Sequence, residues 1–309
     1  MKNKKPELVT TAATLEEVER VFEAGADAVT LGHERYALRQ PGHFELEQIK
    51  EAQQIARKHG GRVYAVMNAL MHHDEVGELA GYLEQLAPHV DAVVFGDPSV
   101  LMTARQVAPE LPLHWNTETT STNYRTVNFW AGKGASRAIL ARELSLEAVL
   151  EVKRNTRIEI QVQVHGMTCI FHSKRELVSN YVRHQGKDPE QEIRAAQRRM
   201  FLKEDNREDQ RYPIFEDRHG THIMSAEDIC MLEHLSSFIT GGIDALKIEG
   251  ILKPLEYIQT VVSIYRKAID RLAENPHADI DSGWLDELKS IQDPARPLGT
   301  GFYFKQQIY

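Results

Sequence analysis

Apolar residues along this chain fall into two alternating patterns. The first is a set of short runs rich in β-branched residues: ELVTTA (7–12), DAVTLG (27–32), RVYAVMNAL (62–70), DAVVFGD (91–97), LHWNTET (113–119), RAILAR (137–142), IEIQVQVHG (158–166) and ALKIEG (245–250). Several carry apolar residues at consecutive positions, as strands buried on both faces of a parallel sheet do. The second pattern repeats with helical periodicity. TLEEVERVFEAG offers Thr14 as N-cap, Glu17 at the capping-box position and Gly25 as a stop. ELEQIKEAQQIARKHGG sets Leu46, Ile49 and Ile55 on one face and ends at Gly60-Gly61. DEVGELAGYLEQLAP, DPSVLMTARQVAP, STNYRTVNFWAGKG, SLEAVLEVKRN and PLEYIQTVVSIYRKAIDRLAEN follow the same plan. Eight strand-plus-helix units predict an α/β fold, a closed (β/α)8 TIM-like barrel. No Gly-rich dinucleotide fingerprint follows the first strand, which counts against an open doubly wound sheet.

The alternation breaks once. Almost eighty residues separate the seventh and eighth strands, including the charged RHQGKDPEQEIRAAQRRMFLKEDNREDQRYP and then IFEDRHGTHIMS, a hairpin pattern with its turn at Arg218-His219-Gly220. The expected organisation is a single barrel domain over 1–272, an insertion of charged helix and hairpin at about 167–243, and a C-terminal helix and tail over 273–309. An insertion after a barrel strand belongs among the loops that build active sites.

Composition narrows the function classes. The net charge of −8 over 309 residues excludes a molecule that binds nucleic acid by overall charge, leaving room for a local basic patch. Two cysteines, Cys169 and Cys230, are too few for a disulfide framework. The N-terminus is basic without an apolar signal region, and no apolar run reaches membrane-spanning length, so a cytoplasmic location is expected.

Side chains at the C-terminal ends of barrel strands converge on one mouth. Those ends supply Asn68, Asp97, Asn116 with Thr117 and Glu118, Arg142 with Glu143, His165, and Lys247 with Glu249. Arg142 and Lys247 suit a carboxylate or phosphate, although Lys247 and Glu249 alternate onto one side and have each other as partners. His165 is the expected acid/base group, with Glu143 and Cys169 as further catalytic candidates. The spacing His165-x3-Cys169-x2-His172, with His72 and His73 after the third strand, admits a metal only if more ligands converge, and no metal is expected. Cys230 is expected on an apolar helix face. No nucleophile elbow is present.

The segments EAGADAVTLG, VYAVMNAL, FGDPSVLMTARQVAP, AILARELSLE, VHGMTC…LVSNY, SAEDICMLEHL and DALKIEG resemble, in order, the blocks of the peptidase U-32 (collagenase-like) family, and LGTGFYF is similar to its later Thr-Gly-Phe block. The resemblance implies a barrel. It also implies membership of the branch of shorter Bacillus-type proteins of prephenate-dependent tRNA hydroxylation, which help to form 5-hydroxyuridine at the wobble position. Prephenate, a dicarboxylate, is then a possible co-substrate for Arg142 and Lys247. Cluster-bearing relatives carry four cysteines. Here Cys169 matches the first, Glu176 stands at the second, and the downstream insertion has none. One thiolate cannot hold an iron–sulfur cluster, so no cluster is expected in this chain and a longer cysteine-bearing paralogue is the expected partner. The family's KIEG is usually followed by Arg; here Ile251 follows.

Three functions follow: a tRNA-modification component, a U-32-type peptidase hydrolase, or a non-catalytic scaffold subunit. For the first, Arg175, Arg183, Arg194, Arg198 and Arg199 are the candidate RNA-binding side chains, set against the plainer reading of a solvated charged helix with interleaved Glu and Asp.

Overall fold

The computed structural model describes residues 5–116, 122–196 and 199–305. Strands and helices alternate as β1 (Glu7–Thr11), α1 (Leu15–Glu23), β2 (Ala28–Leu31), α2 (Leu46–Lys58), β3 (Arg62–Met67), α3 (His73–Leu86), β4 (Ala92–Phe95), α4 (Pro98–Val107), β5 (Leu113–Asn116), α5 (Tyr124–Gly132), β6 (Arg137–Ile139), α6 (Leu146–Arg154) and β7 (Glu159–Ser173). The insertion follows with α7 (Leu177–His184), α8 (Pro189–Ala196), β8 (Phe201–Glu204), β9 (Arg207–Asp217) and β10 (Gly220–Cys230). The chain ends with α9 (Leu235–Thr240), β11 (Ala245–Ile248), α10 (Leu255–Glu274), α11 (Ser282–Ile291) and β12 (Leu298–Gly299). β1 to β7 pair in parallel in sequence order, and β11 closes the ring by pairing in parallel with both β7 and β1. The expected eight-stranded closed barrel is the fold, with a strand inside each expected run; residues 117–119 of the fifth run lie outside the described residues.

The helix signals act as local chemistry requires. Thr14 Oγ1 accepts the Glu17 amide at 3.2 Å, while the Glu17 carboxylate reaches back to the Ala13 amide at 2.7 Å, one residue before the cap. Apolar stripes of the helices pack on the outward side chains of the strands, such as Leu8, Val29, Val93, Leu113 and Val162. The narrow lumen takes a different set, with Val9, Ala28, Tyr64, Val66, Ala92, Val94 and Ala245 packed together.

The lumen is sealed at its N-terminal end. The Arg137 guanidinium is buried and pairs with Glu7 and Glu159, each at 2.6 Å, while Gln161 accepts from it at 3.2 Å. It also lies over the Tyr64 ring at 5.3 Å. Polar access is thereby left to the opposite end, where the strands' C-termini lie.

β7 differs from its expected form. It does not stop at Gly166 but continues to Ser173, leaving the barrel to pair antiparallel with β10, which in turn pairs with β9. The turn expected at Arg218-His219-Gly220 joins β9 to β10. Cys230 ends β10 and is therefore on a strand, correcting the helix expected there: the run from Ser225 to Cys230 alternates as readily as it spirals.

A buried network fastens the C-terminal segment to this junction. Asp228 is fully buried and pairs with Lys253 and, at 2.7 Å, with Arg296; Gln292 donates to the same carboxylate at 2.7 Å. β12 pairs with β10 beside it.

Candidate functional site

Two connected spaces occupy the open end of the barrel. The inner one, about 40 Å³, is lined among others by Arg39, Gln40, Asn68, Asn116, Arg142, Gln161, Gln163, Lys247 and Glu249. The outer one, about 370 Å³, shares Leu38, Arg39, Asn68, Asn116 and Arg142 with it and adds Leu70, Gly96, Cys169, Ile170, Phe171, His172, Lys174 and His219. Together they form a funnel whose narrow end lies among the barrel strands and whose wide end is walled by the extension of β7.

Each wall has a local cause. Strand alternation points Gln161 and Gln163 of β7, and Lys247 of β11 with Glu249 just beyond it, into the lumen, while Val162, Leu246 and Ile248 face the helices. Lys247 and Glu249 pair at 2.9 Å, as their spacing allowed. Asn68 Oδ1 accepts the Leu38 amide at 2.8 Å, which ties the loop between β2 and α2 down across the barrel mouth. That loop carries Arg39, a buried arginine in the left-handed region at φ 53°. Burial, reinforced by the nearby Arg142, draws the Arg39 pKa down to about 10, with Cys169, Glu249 and Asp217 acting in the opposite sense. It stays a cation at neutral pH.

Arg39, Arg142 and Lys247 line this small cavity together with two carboxamides of β7 and the Glu249 carboxylate that pairs with Lys247. Gln161 is only half satisfied. Its carbonyl accepts from Arg137 at 3.2 Å, while its buried amide nitrogen has no hydrogen-bond acceptor among the described residues.

The structure gathers Asn68, Asn116, Arg142, Lys247 and Glu249 in the funnel and places Cys169 in its outer part. It does not gather the rest. Asp97 is a helix cap, its two oxygens taking the Ser99 amide at 2.8 Å and the Met71 amide at 3.0 Å. Glu143 is exposed and lines neither space. His165 is corrected from a mouth residue to a core residue. Lys247 pairs with Gln163 but Ile248 pairs with His165, so β7 holds one extra residue there, and the bulge turns His165 outward beside Ile248. Gly166, at φ 96°, permits this: a Cβ there would meet the Glu249 carbonyl oxygen at 2.1 Å.

The His165 ring is fully buried between Tyr257 and Tyr265 of α10. Gln292 uses its amide nitrogen on Asp228, so its oxygen is the acceptor for the Tyr257 hydroxyl at 2.7 Å. The Tyr257 oxygen then accepts from His165 Nε2–H at 2.8 Å, which fixes the tautomer. Burial holds the imidazole neutral, with its pKa drawn down to about 3. Asp228 goes the other way from its own burial: Lys253 and Arg296 bring its pKa down to about 2.

Cys169 donates to the Phe171 carbonyl at 3.2 Å rather than to an imidazole. Glu176, at the position of a second cluster cysteine, is an exposed residue preceding α7 that pairs with Arg183 at 3.4 Å. Cys230 lies beside Tyr265, on the core side of the junction. These residues do not fit a cluster. Among the described residues no three His, Cys, Asp or Glu side chains are grouped to hold a metal. Arg175 and Arg183 are exposed on the insertion, as is Arg199; Arg198 and the Arg194 side chain, like Thr117 and Glu118, lie outside the described residues. No described helix is long and apolar enough to cross a membrane.

Arg39, Gln161 and Gln163 line the cavity without having been among the expected site residues. Arg39 sits in a loop without periodicity, but the polar glutamines alternating with Ile160, Val162 and Val164 are a signal that a lumen-facing row carries.

A family model described as peptidase family U32 matches residues 13–308. The chain is 48% identical over 309 residues to tRNA hydroxylation protein P2 of Bacillus subtilis, covering 99% of this chain and all of that protein. It is 33% identical to tRNA hydroxylation protein P1 of the same organism, covering 97% of this chain and 71% of the relative. A solved U32 peptidase structure matches with a TM-score of 0.51 at 16% identity, covering 82% of this chain and 96% of that one, and shares the fold.

Proposed function

The chain belongs to the U32 peptidase family, and on that premise we propose that it is a component of tRNA hydroxylation, acting in 5-hydroxyuridine formation at the wobble uridine. The observation that carries this is the full-length similarity to a tRNA hydroxylation protein, at 48% identity. The funnel is consistent with it. Its narrow end takes one carboxylate of a small acid between Arg39, Arg142 and Lys247, and the acid is prephenate, whose second carboxylate and ring extend into the wider part. The chain lacks the thiolates for a cluster of its own, so it works beside a longer, cysteine-bearing paralogue in the cytoplasm and leaves cluster chemistry to that partner.

The Cys169/His165 pair that the peptidase alternative would use is not formed, since His165 is in the core and Cys169 bonds to a carbonyl. Deletion of the gene in a strain without a redundant route, followed by nucleoside mass spectrometry of its tRNA, is the test. Loss or strong reduction of 5-hydroxyuridine derivatives is expected; unchanged levels would refute the assignment.

A further inference from the structure

We infer that the outer chamber receives a single unpaired nucleobase, stacked at the Phe171 side above the acid held by Arg39 and Arg142. This rests on the tRNA-hydroxylation reading and adds to it the place where RNA enters. Hydroxylation of a base requires its ring to share one space with the reagent, and a base inside a duplex cannot reach a barrel mouth without leaving its stack. The chamber supplies that space. At about 370 Å³ it lies at the small end of the roughly 300–1,000 Å³ typical of ligand pockets, which fits one base beside a small acid rather than a folded strand.

Its lining is divided as such a ligand requires. The floor is cationic and carboxamide-bearing. The outer wall is apolar and open to solvent: Leu70 is 58% exposed, Ile170 50% and Phe171 45%. Such side chains gathered around a polar opening mark a surface that another molecule covers, and an aromatic among them offers a stacking face for any base. Lys174 stands at the lip, donating to His72 Nε2, and His219 donates to the Glu34 carbonyl at 2.8 Å. The Lys174 ammonium has further protons to offer a phosphate flanking the inserted base. Net charge of −8 over the whole molecule leaves recognition to this local arrangement.

The chain carries its own reporter. Cys169 lines the chamber, whereas Cys230 is packed behind Tyr265, its thiol pushed up by burial and so less reactive. The full-length protein is treated with iodoacetamide, and alkylation of Cys169 is followed by peptide mass spectrometry. One arm adds a hairpin RNA with an unpaired uridine loop, the other a blunt duplex of the same stem. The hairpin is expected to slow alkylation severalfold and the duplex to leave it unchanged. Phe171→Ala is expected to weaken hairpin binding about tenfold or more, as loss of a stacking platform does. Phe129→Ala, at another exposed aromatic on α5, is expected to leave it unchanged. A hairpin that binds without protecting Cys169, or binds Phe171→Ala as tightly as the parent, overturns the chamber assignment and leaves the RNA reading standing. A chain that binds neither RNA overturns the chamber assignment too, while the tRNA-hydroxylation reading stands or falls on the nucleosides of the deletion strain.

Discussion

His165 illustrates how one residue of backbone offset changes a side chain's chemistry. Its motif context, between a strand and Cys169, marks it as an acid or base, yet the bulge in β7 delivers it to Tyr257 and Tyr265 as a neutral, buried imidazole. A histidine with its folded pKa drawn down to about 3 contributes stability that is complete above its unfolded value of roughly 6.5 and is lost as pH falls from there toward 3. Asp228 adds a second loss below its unfolded pKa of roughly 3.9, running down toward 2. Denaturant titrations from pH 7 to pH 4 should therefore show falling stability with proton uptake on unfolding. His165→Phe should be less stable at pH 7, by roughly 1–3 kcal/mol for the stranded hydroxyl partner, and its profile between pH 6.5 and 4 should be flatter. A profile parallel to that of the parent would contradict the placement. Arg39 is the converse case, a site residue the sequence conceals because it lies in a loop. If its guanidinium meets a carboxylate through two donors, Arg39→Lys should keep the charge and still lose prephenate affinity about tenfold in calorimetry. Full affinity in that variant would remove Arg39 from the anion site.

At the level of elements, periodicity was sufficient for the barrel because each strand–helix unit carries its own signal. It failed where an element serves two sheets. β7 is a lumen strand up to Gln163 and a ribbon strand from Met167 onward, and its two halves obey different alternations on either side of a bulge that no apolar pattern marks. Gly166 is the visible trace of that junction, a glycine required by both its φ of 96° and the nearby Glu249 carbonyl. Gly166→Ala should cost on the order of 1–3 kcal/mol in thermal or denaturant unfolding, since a β-carbon there is strained and has no space. Unaltered stability would mean that the bulge is absent. The candidate site was legible where strand ends supplied it, as with Asn68, Asn116, Arg142 and Lys247. Asp97 was misassigned because Asp is equally at home as a helix cap, and nothing short of its two amide partners separates the roles.

The molecule as a whole has a closed end and an open one. Arg137, with Glu7, Glu159 and Tyr64, closes the floor with charges that satisfy one another, so Arg137→Leu would leave the half-buried Glu7 without one of its cationic partners and should destabilise the fold by about 3 kcal/mol or more, reaching the ligand cavity only through the loss of its bond to Gln161. Chemical unfolding and ligand titration on the same variant would separate the two effects. The mouth gathers Arg39, Arg142 and Lys247 above a carboxamide-lined cavity and beneath an exposed apolar wall, and the proposed function needs those cations to hold its acid. The most direct test of that claim is complementation of the deletion strain with a chain carrying both Arg142→Ala and Lys247→Ala, with folding checked by circular dichroism and wobble uridines measured by nucleoside mass spectrometry. A folded protein that leaves 5-hydroxyuridine derivatives at the level of the deletion strain is expected. A folded double variant that restores them fully would contradict it and make the chain a scaffold.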